Sequence, residues 1–186
     1  MKRLFDFVLV IILLTLMMLP MVIISFAVII SSKGPALYWS KRIGINQEIF
    51  KMPKFRSMII NTPVIATHLI SDVDQFISPI GGFLRRNSLD ELPQLFSILK
   101  GDMSFVGPRP ALFNQQDLIE LRELEGINIL IPGLTGWAQV NGRDDLSIIE
   151  KVKFEVEYMQ NQSFWFDMKI LWITFLRVIR RRGISH

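Results

Sequence analysis

The sequence has no cysteine and only two histidines, His68 and His186. Without thiols there are no disulfides and no thiolate metal sites, a usage that fits a reducing compartment. His68 stands in a polar stretch and His186 is the last residue, so a histidine-based triad or zinc site finds no support. Internal repeats and low-complexity segments are also missing. Chemistry must therefore come from carboxylates, arginines, lysines and backbone groups. What the chain has in quantity is apolar residues, 50% of 186, together with a formal net charge of +4. A greasy, basic chain of this length suits one domain with a core of its own and a membrane surface or phosphate-bearing partner.

Residues 7–30 contain no charge and exceed the ~20 positions that span a bilayer core. The length of the run, and the lack of a small-x-small site after it, argue against a cleaved signal peptide. Hydropathy alone favours a straight transmembrane helix. Two features favour another topology. Pro20 sits near the middle of the run, and proline removes a helical hydrogen bond. Both flanks are basic, Lys2 and Arg3 before and Lys33, Lys41 and Arg42 after, and such excess marks the cytoplasmic side. The expectation is a re-entrant helix-break-helix over residues 1–32, broken at Leu19-Pro20, with both ends in the cytoplasm.

Residues 33–186 are expected to form one cytoplasmic domain at the membrane interface, mainly α with minor β (an α+β fold). "SSKGPALYWSKRIG" reads as a Gly/Pro-punctuated exit from the membrane. Residues 48–58 are expected to be short extended structure limited by Pro53. A helix is predicted over 92–99, ended by Lys100-Gly101. Residues 103–112 read as a strand or turn stiffened by Pro108 and Pro110, 113–125 as an amphipathic helix, and 131–145 as a long loop. Ser147-x-x-Glu150 has the capping-box pattern of a helix start. Residues 164–182 form an aromatic helix with a basic end, a composition for lying in the membrane interface.

The stretch "LRRNSLDELPQLF" (84–96) carries the sharpest signal. Its plain reading is a helix start. Ser88-x-x-Glu91 would make a capping box, but Pro93 would then fall past the first turn; with Asp90 as N-cap, Pro93 sits where no intrahelical N–H bond is needed. The functional reading uses the same geometry. A helix N-terminus favours anions and keeps a nearby carboxylate ionised, as a nucleophile or metal ligand must be. Arg85 and Arg86 add donors suited to phosphate oxygens. Mg²⁺, which binds through one or two carboxylates plus substrate phosphates, would complete the screening. A glycosidase fits poorly, because its two carboxyls must flank a bond and adjacent residues seldom do. "VGPRP" fixes the backbone around Arg109, which is either an aimed guanidinium or a rigid turn with a solvent-facing side chain. "PGLTGWAQVNGR" offers Gln139, Asn141 and Arg143 to a substrate or to the loop itself. Lys54-Phe55-Arg56 is either part of a site or an interfacial basic patch.

"KFRSM", "RRNSLDELPQLF", "LKGDMSFVGPRP" and "PGLTGWAQVNGR" occur in that order. Together they resemble the bacterial sugar transferase family, the monotopic phosphoglycosyl transferases, over nearly the whole chain. The chain looks like the small single-domain members and is most similar to the group that includes diacetylbacillosamine-1-phosphate transferases. The resemblance implies ping-pong transfer of a sugar-1-phosphate from a UDP-sugar to polyprenyl (undecaprenyl) phosphate at the cytoplasmic face of the bacterial inner membrane. By motif, Asp90 is the nucleophile that attacks the β-phosphate and releases UMP. Glu91 assists, and Mg²⁺ is expected at Asp90 and Glu91. Arg85, Arg86 and Arg109 bind phosphates, and Arg143, Lys54, Arg56, Gln139 and Asn141 complete the substrate pocket. Membrane lipids are partners and nucleic acid is not; the interfacial aromatics could serve a homodimer. Leu19-Pro20 departs from the family's frequent Ser-Pro, Asn87 from its Thr, and Pro53 from its Tyr. The competing reading is a membrane-anchored polyanion binder or scaffold without chemistry, which would not need Asp90.

Overall fold

A computed structural model of the chain describes residues 1–60, 62–63, 73–142 and 145–180. Both histidines lie outside them. The described residues form six α-helices and four short strands, the α+β class expected.

Helix α1 (Lys2–Ser31) remains helical through Pro20. The interruption expected at Leu19-Pro20 is therefore absent: proline removes one hydrogen bond, and packing along the helix keeps the backbone continuous. α1 is long and apolar enough to cross a bilayer. It is also packed on the rest of the protein along its length. Asp6, Val10, Leu14, Met21 and Val28 recur at spacings of one helical face and are buried, with Leu13, Met17 and Ile24 packed beside them. Phe7, Ile11, Ile23, Phe26 and Ile30 face outward.

Both ends of α1 are tied to the same body. At its start, Lys2 Nζ pairs with Asp167 Oδ2 at 2.6 Å, and Arg3 donates to the carbonyls of Ile98 and Leu99 at 2.6 and 2.9 Å. The buried Asp6 accepts from Ser104 Oγ at 2.8 Å and the Phe105 amide at 3.3 Å. Past its end, Arg56 donates to the carbonyls of Ser32 and Lys33 at 2.8 and 2.6 Å.

The membrane exit contains a strand that sequence reading missed. β1 (Leu37–Ile43) pairs antiparallel with β2 (Ile49–Phe55). In this register Tyr38 faces Lys54, Ser40 faces Met52 and Arg42 faces Phe50, so those six share one face. Pro53 is tolerated because β2, among the described residues, pairs with a strand on one side only.

α2 (Gly81–Arg86), a 3-10 turn at Leu89–Glu91 and α3 (Gln94–Lys100) follow. β3 (Ser104–Val106) and β4 (Gly133–Thr135) then pair in parallel, Ser104 with Gly133 and Val106 with Thr135. The stretch read as a long loop thus contains a strand. Its glycines allow the pairing: a Cβ at Gly133 would fall on the Gly107 amide, and one at Gly107 on the Ile131 carbonyl.

α4 (Gln116–Leu124) and α5 (Ile148–Gln160) pack over Ala111, Leu118, Ile127 and Val152. The predicted capping box is present: Ser147 Oγ accepts from the Glu150 amide at 3.3 Å, and Glu150 Oε2 accepts from the Ser147 amide at 2.9 Å. α6 (Phe164–Arg180) is two-faced. Asp167 and Ile170 are buried, while Trp165, Trp172 and Phe175 are exposed. The main core joins the inner stripe of α1 to Leu95 and Ile98 of α3, Phe105 and Val106 of β3, Tyr158 of α5 and Ile170 of α6.

Candidate active site

Ser88, the residue before the 3-10 turn, takes a left-handed conformation (φ 54°), and neither the turn nor α3 has a side-chain cap. The predicted N-cap role of Asp90 is therefore not realised. The left-handed step starts a short turn instead of α3, and Pro93 stands just ahead of the first residue of that helix. The Asp90 carboxylate is buried, with Lys54 Nζ at 4.0 Å. Glu91 points differently: its Oε1 accepts from Lys54 Nζ at 2.9 Å and from an Arg109 guanidinium nitrogen at 3.1 Å.

Burial drives the electrostatics. It raises the Asp90 pKa; Lys54 is the largest opposing influence, Glu91 adds to the rise, and Arg85 and Arg109 pull down. Burial lowers the Lys54 pKa, with Glu91 holding it up. Arg42 is lowered to about 10 by burial and by the nearby Arg109.

These groups line one cavity of about 520 Å³, whose walls include Arg42, Lys54, Arg85, Asp90, Arg109 and Gln139. Arg56, Arg122 and Lys151 line it as well, so cations outnumber its two carboxylates, Asp90 and Glu155. Glu155 pairs with Arg122, and Glu91 compensates Lys54 and Arg109 from the side. Such a cavity suits a ligand carrying several phosphate charges. A second cavity of about 390 Å³ shares Arg109 and Gln139 with the first and has Glu91, not Asp90, in its wall.

Arg109 is held from behind. Arg122 of α4 donates to its carbonyl at 2.9 Å and is itself clamped by the buried Glu155 of α5 at 2.8 Å. Close backbone contact does the rest: the Gly107 amide donates to the Thr135 carbonyl at 2.9 Å, and the Gly133 amide to Pro108 at 2.8 Å. The two motifs are thus stitched together, and Arg109 and Gln139 both line the cavity wall.

Other predicted site residues go elsewhere. Arg86 is exposed, because successive residues on a helix point about 100° apart and Arg85 takes the inward position. Arg56 touches the first cavity, but its guanidinium is spent on the carbonyls after α1. Asn141 is exposed and donates back to the Trp137 carbonyl at 2.8 Å. Arg143 lies outside the described residues. Sequence reading missed Arg42, Arg122 and Glu155 as site residues. Only the alternation of Tyr38, Ser40 and Arg42 could have revealed Arg42, and it became informative once that segment was known to be a strand.

A family model described as bacterial sugar transferase matches residues 1–181. The chain belongs to the bacterial sugar transferase family. It is 36% identical to an undecaprenyl-phosphate galactose phosphotransferase of Salmonella typhimurium, over 98% of this chain and 41% of the relative. It is 39% identical to a UDP-glucose:undecaprenyl-phosphate glucose-1-phosphate transferase of Escherichia coli, over 95% of this chain and 39% of the relative. An uncharacterized sugar transferase of Bacillus subtilis, EpsL, is 35% identical over 99% of this chain and 90% of its own length. The chain thus spans about two fifths of the first two relatives. In this family member, no group of three or more His, Asp or Glu side chains able to hold a metal occurs among the described residues. The adjacent Asp90 and Glu91 offer the one or two carboxylates that Mg²⁺ takes when substrate phosphates supply the remainder, so the donor set fits that ion in the presence of substrate.

Proposed function

We propose that this chain transfers a sugar-1-phosphate from a UDP-sugar to polyprenyl phosphate through a covalent intermediate on Asp90. The carrying observation is a buried Asp90 carboxylate that caps no helix and faces a cavity walled by Arg42, Lys54, Arg85 and Arg109. The names of the Salmonella and E. coli relatives support the same reaction class.

An Asp90 oxygen attacks the β-phosphorus of the UDP-sugar. The bond from that phosphorus to the bridging oxygen breaks, and UMP leaves with the oxygen. A phosphate oxygen of the lipid acceptor then attacks the same phosphorus, and Asp90 departs as a free carboxylate. Arg42, Arg85 and Arg109 neutralise the phosphate oxygens, which would otherwise repel the attacking carboxylate. Lys54 holds Asp90 and Glu91 in register. Asp90 and Glu91, with the substrate phosphates, would hold Mg²⁺, which would supply further charge neutralisation for the departing UMP.

We infer further that the protein is monotopic, with both ends of α1 on the cytoplasmic side. A helix of 30 residues is about 45 Å long if straight. Were it to span a bilayer, one end would stand on the far side from the catalytic body, yet the contacts of Lys2, Arg3 and Arg56 join both ends to that body. The outward apolar faces of α1 and α6 supply the surface that enters the lipid.

The deciding experiment incubates detergent-solubilised protein with Mg²⁺ and a panel of UDP-sugars, without acceptor. One of them should add the mass of a phosphosugar and release UMP stoichiometrically. A chain that binds polyanions with a steep salt dependence and releases no UMP from any of them is the non-catalytic anion binder instead.

A further inference from the structure

The second cavity lacks Asp90 and meets the first at Arg109 and Gln139. Its apolar walls come from separate elements: Leu13 and Met17 of α1, Leu95 of α3, Leu134 of β4 and Leu171 of α6. The hydroxyls of Thr135 and Thr174 bond each other at 2.7 Å, and that of Thr174 also donates to the Ile170 carbonyl at 2.9 Å. That wall therefore asks for no polar ligand. A nucleotide would lose its hydration there without compensation, whereas a hydrocarbon gains by leaving water.

We propose that this cavity is the channel for the isoprenoid chain of the acceptor, with the acceptor phosphate seated where Arg109 and Gln139 join the two cavities. The inference rests on the transferase reading and gives it two chambers. Asp90 lines the first chamber and Glu91 the second, neighbours in one 3-10 turn. The acceptor phosphate at that junction would then take the position that UMP vacates and attack the phosphorus carried on Asp90 from the face opposite the aspartyl oxygen, as in-line displacement requires.

Three observations carry it. First, both polar atoms of the Gln139 amide are buried without a hydrogen-bond partner, at a residue shared by both cavities. An uncompensated amide there calls for a polar ligand group at the junction. Second, Arg109 is a cation at that junction, and Arg177 is a further cation of the second lining, with no ion pair among the described residues. Charge suited to a phosphate thus meets a lining suited to hydrocarbon. Third, the helices forming the cavity continue into exposed apolar surface, Ile12 and Leu16 on α1 and Phe175 and Val178 on α6. The cavity volume lies in the ~300–1,000 Å³ range of ligand sites. It holds a few isoprene units, and the rest of a long chain passes along these faces into the bilayer.

Two measurements test the proposal on the full chain. The first is photolabelling in nanodiscs of phosphatidylethanolamine and phosphatidylglycerol, with a polyprenyl phosphate bearing a diazirine in its first isoprene unit. Labelled peptides should contain Leu13–Met17 and Leu171–Thr174, and unlabelled polyprenyl phosphate should compete while added phosphatidylglycerol should not. Labelling elsewhere overturns the proposal, and equal competition by phospholipid makes the cavity an acyl-chain site. The second is Thr174→Trp, which fills the channel. It should still form the phosphosugar adduct from UDP-sugar, and transfer to a long-chain acceptor should fall by roughly tenfold or more, the scale of an overfilled apolar site. Adduct formation reports folding; if it is lost, Thr174→Leu replaces the variant. Unchanged transfer by an adduct-forming variant sinks the channel alone. A wild-type protein forming no adduct with any UDP-sugar sinks the transferase reading, and photolabelling still decides whether the cavity takes an isoprenoid phosphate.

Discussion

Lys54 Nζ lies 2.9 Å from Glu91 Oε1 and 4.0 Å from Asp90 Oδ2. One ammonium therefore leans on Glu91 and leaves the neighbouring Asp90 without a short hydrogen bond. A carboxylate that must attack phosphorus benefits, because each donor bound to it lowers its nucleophilicity. Glu91→Gln weakens that hold and turns Lys54 toward Asp90. Losing a charged hydrogen bond costs about 1.5–3 kcal/mol, or roughly 10- to 100-fold in rate. Adduct formation should slow by that much yet reach completion, as intact-protein mass against time will register. Complete loss of the adduct would give Glu91 a direct part in bond making.

Asp90→Asn separates the chemistry from the fold. The residue caps no helix, so the amide forfeits no cap, and it removes a buried carboxyl whose charged form burial disfavours. The variant should melt at or above the wild-type temperature and form no adduct, since the attacking oxygen is gone. Calorimetry and mass spectrometry on one preparation provide the check, after mass has excluded deamidation.

The pH dependence has a definite sign. Burial raises the Asp90 pKa, and the reactive carboxylate is lost as pH falls through that value. The acid limb of single-turnover adduct formation should therefore lie above the ordinary aspartate range. Lys54 is the largest group holding the pKa down, so Lys54→Met should move the limb to higher pH. A shift to lower pH would contradict this account of the pair.

Glu155→Ala leaves the guanidinium of Arg122 buried without its clamp. Breaking a buried pair from one side costs about 3–5 kcal/mol, which a urea titration can resolve. The carbonyl of Arg109 loses its fixed donor as well. The fraction that remains folded should therefore bind UDP-sugar more weakly, as seen in the UDP-sugar concentration needed for half-maximal adduct formation.

Topology can be read in intact cells. A cysteine ahead of Met1 and another at Lys33 (Lys33→Cys) should both resist a membrane-impermeant maleimide and react after permeabilisation. Labelling of one alone would establish a straight span and refute the same-side arrangement drawn from the contacts of Lys2, Arg3 and Arg56.

Local chemistry was legible in the sequence wherever neighbours along the chain decide it. The apolar run of α1, the Ser147-Glu150 capping box and the aromatic α6 are of this kind, since helix periodicity and capping act over a few residues. The ordered motifs marked the family and singled out Asp90, Glu91, Arg85 and Arg109. Tertiary structure decided the rest, because contacts between distant segments overrode local preference. The strand pairing of Leu37–Ile43 with Ile49–Phe55 turned a supposed membrane exit into the wall that carries Arg42 and Lys54. The left-handed Ser88 freed Asp90 from the cap role that spacing suggested. Arg56 and Asn141 were taken by backbone carbonyls, and Arg86 was turned to solvent by the pitch of its own helix. Nothing in one dimension says that Arg122 and Glu155 stand behind Arg109, or that α1 lies along the body with both ends attached. Those facts depend on which surfaces meet, and that follows from burying apolar area across the whole chain.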